Sequence, residues 1–298
     1  MENKIFTNND AFLALNEIKS LNYSNLEIQN LNSQLLVLVK DLLIKNSRLS
    51  RKKHFKNPLN YFGRKCFSQT DEDGITLEII RRLKIKNGNY AEFGVGNGLE
   101  NNTLILSTLG WKGFWVGCQD LCFKHMNTEK FFYNKKWINL KNIIEITKES
   151  MNNLCIDKLD LISLDLDGND YYFLEEFLNN NIFPKVFIVE YNAKFFPPIE
   201  FIIDYDENHK WTGDDYFGAS LTSLEKLFKK FDYKLVCCNA HTGANAYFVK
   251  RKYINKFKDI PNQIDQIYME PNYELTSKHG HFPSPKVIEK IFKTKIHD

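Results

Sequence analysis

From residue 66 to about residue 250, short apolar segments alternate with segments that have helical periodicity. Because parallel strands are joined by crossovers of a dozen or more residues, usually helices, this alternation predicts a mostly parallel sheet with helices on both faces. The predicted strands are NYAEFG, GFWVG, WINLKNII, LDLISLD, KVFIVEY, YKLVCC and NAYFVK, with a helix near residues 121–131 before the third. Only NAHTGA separates the last two strands, so we expect them to pair as an antiparallel hairpin.

The first 50 residues contain no glycine or proline and carry one apolar stripe. The stripe follows the 3-4-3-4 spacing of one helix face and consists of Ile28, Leu31, Leu35, Leu38 and Leu42. Two interpretations stay open: a short coiled coil that forms a homodimer, or a helix that packs on its own domain. We divide the chain into this helical segment (1–50), a basic linker (51–65), a main domain (66–255) and a C-terminal tail of helix and loop (256–298).

The composition is that of an ordinary globular protein, since 43% of the 298 residues are hydrophobic and 26% are charged. The 40 basic and 37 acidic residues leave a net charge of +3, which gives no reason to expect a nucleic-acid partner. No apolar run approaches the ~20 residues of a transmembrane helix, and the first residues lack the order of a signal peptide. The six cysteines form no CxxC pair, so we expect reduced thiols and a cytoplasmic protein.

A glycine-rich turn, YAEFGVGNG (90–98), connects the first predicted strand to the next helix. In an open α/β sheet, ligands bind at the carboxyl ends of the strands, and glycines there allow close approach of the backbone. The turn does not have the G-x-G-x-x-G spacing of dinucleotide-binding proteins. After the second strand, either Gln119 or Asp120 is in place to bond ribose hydroxyls, and a carboxylate would be the stronger partner because of its charge.

A series of further motifs accompanies this turn between residues 65 and 255. They are SQ at 68–69 with EDG at 72–74, EFGVGNG followed by ENNT (100–103), GWKGFWVG (110–117), SLDLDGND (163–170), VEYN (189–192), YFGASLTSLEKL (216–227) and the run 243–249. In this succession the chain resembles class I S-adenosylmethionine (SAM)-dependent methyltransferases and, among them, the FkbM-type and polysaccharide-cluster proteins.

The resemblance implies a Rossmann-like seven-stranded sheet, mostly parallel with an antiparallel last strand, to which the N-terminal helical segment is an extension. It implies SAM as cofactor and O-methylation of a sugar or other hydroxyl in a bacterial surface glycan or its precursor. The residues expected to bind SAM are Gln69, Glu92, Gly94, Gly96, Gly98, Asn102, Thr103, Gln119, Asp120 and Asp165.

Acidic residues follow the fourth and fifth predicted strands. Asp165 and Asp167 point to the same side of an extended chain, and Glu190 and Asn192 end the neighbouring strand. Such oxygen ligands suit Mg²⁺ or Mn²⁺, so we predict a divalent-cation site made by Asp165, Glu190 and Asn192. Asp167 and Asp170 are candidate catalytic groups, although Asp170 or Asn169 is also a natural cap for the following helix.

The long polar loop 193–218 contains aromatic residues and His209, which suits a lid over a sugar-like acceptor. His209 is the candidate base for the acceptor hydroxyl, and His241 is the other histidine considered. Two other functions stay open: a methyltransferase-like module that binds a ligand without catalysis, and an NAD-dependent sugar oxidoreductase.

Overall fold

The structure, a computed structural model, describes residues 9–10, 13, 26–52, 55–124, 127–273, 286–287 and 290. The strands are β1 (Asn89–Phe93), β2 (Lys112–Gly117), β3 (Phe131–Lys135), β4 (Leu161–Leu164), β5 (Val186–Glu190), β6 (Tyr233–Cys238) and β7 (Asn245–Lys250). The α-helices are α1 (Leu26–Lys52), α2 (Glu72–Leu83), α3 (Leu104–Thr108), α4 (Ile143–Asn153), α5 (Asp170–Asn179), α6 (Leu221–Lys230) and α7 (Ile264–Ile267), with 3₁₀ turns at Pro58–Phe62 and Arg251–Phe257.

All seven strands form one sheet in the order β3-β2-β1-β4-β5-β7-β6. Strands β1 to β5 pair in parallel, whereas β7 is antiparallel to both β5 and β6. The predicted Rossmann-like methyltransferase sheet with its antiparallel last strand is therefore confirmed. Chain order reverses between β1 and β4, and the loops that follow the parallel strands meet at this edge of the sheet.

The third strand lies earlier in the chain than the sequence predicted. Strand β3 is Phe131–Lys135, paired in parallel with β2, and residues 137–142 form a loop that leads into α4. The segment predicted as a helix is loop wherever it is described, at 121–124 and 127–130. The prediction failed because only two residues of this short edge strand are buried, and because Ile143, which was assigned to the strand, belongs to the buried face of α4.

Helix α1 keeps its apolar stripe in solvent. The five stripe residues are between 38% and 63% exposed, whereas Leu43 on another face is buried. Dimerisation through this helix stays a prediction, as do the proposed domain boundaries. Among the residues that the structure describes, no helix is both long enough and apolar enough to cross a bilayer.

Buried acids join the start of α2 to the tip of the β6–β7 hairpin. Asp73 accepts hydrogen bonds from the backbone N–H groups of Cys66 and Phe67, both at 2.6 Å, and of Ser68 at 2.8 Å. Asp71 accepts from the backbone N–H groups of Ala240 at 3.1 Å and His241 at 3.0 Å. The SQ and EDG motifs thus shape a turn that holds two chain segments together.

We expect Asp73→Ala to lower the free energy of unfolding by about 3 kcal/mol, since three N–H groups lose their acceptor in a partly buried turn. Urea unfolding followed by circular dichroism measures this. The matched control is Asp120→Ala, because Asp120 is 88% exposed and its pair with Lys135 contributes about 0–1 kcal/mol. Equal losses in the two variants would contradict the assigned role of Asp73.

Candidate active site at the carboxyl edge of the sheet

A cavity of about 350 Å³ opens at the carboxyl ends of the parallel strands. The loops that follow β1, β2, β3 and β4 form its floor and sides. Residues 193–218, hereafter the wall loop, close one side with Glu207, His209, Lys210 and Trp211. The cavity therefore lies where the reversal of strand order predicts a ligand site.

Two glycines of the turn after β1 line this cavity for different reasons. Gly94 has φ +93°, and a Cβ built there would lie 1.6 Å from the backbone oxygen of Asp165. The turn therefore packs directly on residues 165–169, hereafter the β4 loop. Gly96 has φ +52°, and a Cβ there would meet no atom of the described residues within 4 Å. The backbone at Gly96 thus borders open space that a ligand can fill. Gly98 instead packs against the side chains of Leu121 and Phe123 and is not part of the cavity wall.

The Glu92 side chain forms hydrogen bonds with the protein's own backbone. Its buried carboxylate accepts hydrogen bonds from the N–H groups of Asn102 at 2.8 Å and Thr103 at 3.0 Å. The Thr103 hydroxyl also accepts from the indole of Trp115 at 2.9 Å. Burial raises the pKa of Glu92 to about 7. Glu92, Asn102 and Thr103 therefore hold the chain between the glycine turn and α3, behind the cavity wall rather than on it.

Of the two candidates for ribose binding after β2, only one lines the cavity. Gln119 lines the cavity. Asp120 is exposed outside it and forms an ion pair with Lys135 at 2.6 Å. Gln69 is also exposed and outside the wall, and its carbonyl accepts a hydrogen bond from Lys65 at 3.0 Å.

Three acids cluster beside the cavity at the ends of β4 and β5. Asp165, Asp167 and Glu190 each offer a carboxylate oxygen within 4.8 Å of the others. Burial, reinforced by the neighbouring acids, raises the pKa of both Asp165 and Glu190 well above the usual range. Oε2 of Glu190 is buried without a hydrogen-bond partner among the described residues. These acids can share a proton or hold a cation.

Asp170 and Asn192, two other predicted site residues, form hydrogen bonds with the loops around this cluster. Asp170 accepts hydrogen bonds from the N–H groups of Leu166 and Gly168, both at 2.9 Å, and burial raises its pKa to about 6. The Asn192 side chain donates to the carbonyls of Asp215 at 2.9 Å and Phe217 at 3.1 Å. Asp170 thus supports the β4 loop, and Asn192 ties the end of β5 to the wall loop. Neither residue lines the cavity.

Asn169, one of the two residues predicted to cap α5, uses its side chain for another contact. The amide donates to the carbonyl of Asp206 at 2.7 Å and accepts from the N–H of Asp206 at 3.2 Å. No side-chain capping bond forms at the start of α5. This two-bond contact fixes the wall loop on the β4 loop, three residues before His209.

His209 is the histidine on the cavity wall. Its ring covers Gly168, where a Cβ would lie 2.3 Å from the ring Cδ2. Nε2 is buried and has no hydrogen-bond partner among the described residues. Burial, helped by the positive charge of Lys286, lowers the pKa of His209, so the ring is neutral at pH 7 and can accept a proton. His241, by contrast, is buried at the hairpin tip and is not on the wall.

Two half-exposed tryptophans complete the wall, and sequence reasoning did not single out Trp137. Its indole N–H donates to the carbonyl of Glu207 at 3.2 Å, and that of Trp211 donates to the carbonyl of Asp214 at 2.7 Å. Both rings are therefore anchored by their N–H groups while lining the cavity. Trp137 was overlooked because it was assigned to a strand. A tryptophan in a polar loop after an edge strand is the pattern that would have indicated a binding residue here.

No family model matches the chain, and no curated protein matches it in sequence. Solved structures that are similar include a suspected hemolysin from Lactococcus lactis, with 10% identity over 59% of this chain and 85% of that chain and a TM-score of 0.37. A suspected ribosomal RNA methyltransferase from Plasmodium falciparum has 13% identity over 59% and 92% of the two chains, TM-score 0.32. The structure of human N-acetylserotonin methyltransferase in complex with SAM is 12% identical in sequence. The match covers 55% of this chain and 47% of that chain, with a TM-score of 0.31. Likenesses this distant assign no activity to the chain.

Proposed function

We propose that this protein is a SAM-dependent O-methyltransferase whose acceptor is a hydroxyl of a sugar or glycan. The observation that carries the proposal is Gly96, whose backbone borders an open cavity at the carboxyl end of β1. The motif resemblance supports SAM as the ligand and a bacterial surface glycan, or its precursor, as the acceptor class.

The cavity wall suits the chemical groups of SAM. Gly94 and Gly96 leave the backbone accessible, and the Gln119 amide can exchange hydrogen bonds with ribose hydroxyls. Asp165 and the nearby carboxyls favour the positive charges of the cofactor, its amine and its sulfonium. When bound, SAM supplies a methyl group on a positively charged sulfur, ready for attack by a nucleophilic oxygen.

His209 is the proposed catalytic base. His209 lines the cavity, its imidazole is neutral, and its Nε2 has no hydrogen-bond partner among the described residues, so the ring can take the proton of an acceptor hydroxyl as the oxygen attacks. The hydrogen bond between the ring and the backbone of Asp167 helps to orient it. Asp167 itself has a left-handed backbone, φ 52°, which is uncommon outside glycine and is found at functional sites.

The acceptor would lie against the wall loop. Trp137 and Trp211 offer apolar ring surface for the C–H faces of a sugar, and Glu207 and Lys210 can bond its hydroxyls. Because the indole N–H groups are already bonded to the loop, the rings do not have to be ordered when a ligand binds.

Titration calorimetry tests the proposal against its two alternatives. We expect SAM to bind with measurable heat and NAD not to bind. Binding of NAD alone would favour the sugar oxidoreductase. A folded protein that binds neither cofactor would favour the non-catalytic module and reject the methyltransferase.

We also propose that Asp165, Asp167 and Glu190 hold a divalent cation, Mg²⁺ or Mn²⁺. Two observations support this set: the buried Oε2 of Glu190 has no partner in the described part of the chain, and the three carboxylates are closely spaced. Asn192, predicted as a ligand, is left out because its side-chain amide is bonded to the wall loop. A bound cation would stabilise the ionised carboxylates against the burial and the mutual repulsion that raise the pKa of Asp165 and Glu190.

Methyl transfer is therefore expected to stop after EDTA treatment and to recover when Mg²⁺ or Mn²⁺ is added back. Circular dichroism of the EDTA-treated protein controls for unfolding. Full activity in EDTA would reject the cation and leave the three acids as partners of the cofactor's positive charges.

A further inference from the structure

The wall loop has a small apolar core of its own, separate from the core under the sheet. Phe195, Phe201 and Ile203 belong to it, and the rings of Phe195 and Phe201 are stacked with their centroids 4.1 Å apart. The fourth buried member is Val287, which is 4% exposed and comes from the far C-terminal part of the chain. A residue more than 80 positions away in sequence thus completes the packing of the loop.

Charged neighbours of Val287 contact the same loop. Lys290 forms an ion pair with Asp204, and the Lys286 ammonium lies 5.4 Å from the centre of the Tyr216 ring. The Tyr216 hydroxyl accepts a hydrogen bond from the N–H of Asp204 at 3.2 Å. The Tyr216 and His209 ring centres are 6.1 Å apart. Contacts therefore run from the C-terminal segment through the loop to His209.

From these contacts we propose that the segment containing Lys286, Val287 and Lys290 is a strap that positions the wall loop, and with it His209 and Trp211, over the cavity. The three strap residues touch the loop and not the cavity, so they are positioning residues. Their link to catalysis rests on the proposed function, but the contacts themselves do not.

Amide hydrogen exchange of the full chain tests the proposal without any activity assay. Val287→Asp places a charge in the apolar core, and we expect exchange in residues 199–216 to become at least about tenfold faster, with β1 to β5 unchanged. The control is Leu109→Asp, which adds the same charge at a residue that is 50% exposed after α3. Wild-type exchange of the wall loop in Val287→Asp would overturn the strap.

Val287→Ile keeps an apolar side chain in this core, so we expect its wall loop to exchange at the wild-type rate. Because the readout uses the protein without cofactor, it can fail while SAM binding holds, and the reverse.

Discussion

Gly96→Val is expected to abolish measurable SAM binding while the protein stays folded. At this position a side chain would project into the cavity rather than into protein, because a Cβ meets nothing within 4 Å. The valine methyl groups would occupy space that the ligand needs. We expect calorimetry to show at least about a 100-fold loss of affinity, equivalent to ~2.7 kcal/mol.

The control for this variant must separate lost space from backbone strain. A β-branched residue at φ +52° costs about 1–2 kcal/mol of stability wherever it stands. Gly110→Val carries a similar penalty, since Gly110 has φ +79° and open space around it, but it precedes β2 at the opposite edge of the sheet. Gly110→Val should therefore lose stability and keep SAM affinity. Wild-type affinity in a folded Gly96→Val protein would reject the cofactor site.

His209→Ala should lower kcat for methyl transfer by about 10²–10⁴-fold and leave SAM affinity within a few-fold of wild type. The reason is that its Nε2, which has no partner among the described residues, is the proposed proton acceptor, while the proposed cofactor contacts lie on other loops. The matched control is His241→Gln, which changes the buried histidine at the hairpin tip. Equal losses of kcat in the two variants would argue against His209 as the base.

The pH dependence gives an independent check on His209. Because burial lowers the pKa of His209, activity should persist to lower pH than an exposed histidine would allow. Activity should then fall as the ring becomes protonated, since a protonated imidazole cannot accept a proton. Steady-state rates between pH 5 and 8 measure this loss of activity at low pH. The residual activity of His209→Ala should not show the same loss.

Most of the sheet could be predicted from the sequence because strands and helices leave local patterns. The buried strands β4 and β5 are continuous apolar runs, and α5 and α6 bury one face each. The edge strand β3 could not be placed, because only two of its five residues are buried and its sequence does not alternate between apolar and polar residues. The apolar residues a few positions later were taken for the strand instead. Its misplacement in turn hid Trp137, which stands in the loop that follows.

Within the candidate site, the sequence by itself determined which loops carry the polar groups: the glycine turn, the acids after β4 and β5, and the wall loop. Strand order brings those loops together because the parallel strands end at one edge. Only the tertiary structure decided which side chains face the cavity. It turned Gln119 inward and Asp120 outward, and it directed the Glu92 carboxylate to backbone N–H groups.

The contribution of distant segments was likewise decided only by the tertiary structure. Nothing in the local pattern around Val287 shows that it completes the core of a loop more than 80 residues earlier. The physical reason is the range of the interactions. Helix and strand formation depends on neighbours within a few residues, whereas a loop takes its shape from whatever it packs against. For the wall loop those partners are the β4 loop, through Asn169, and the C-terminal strap.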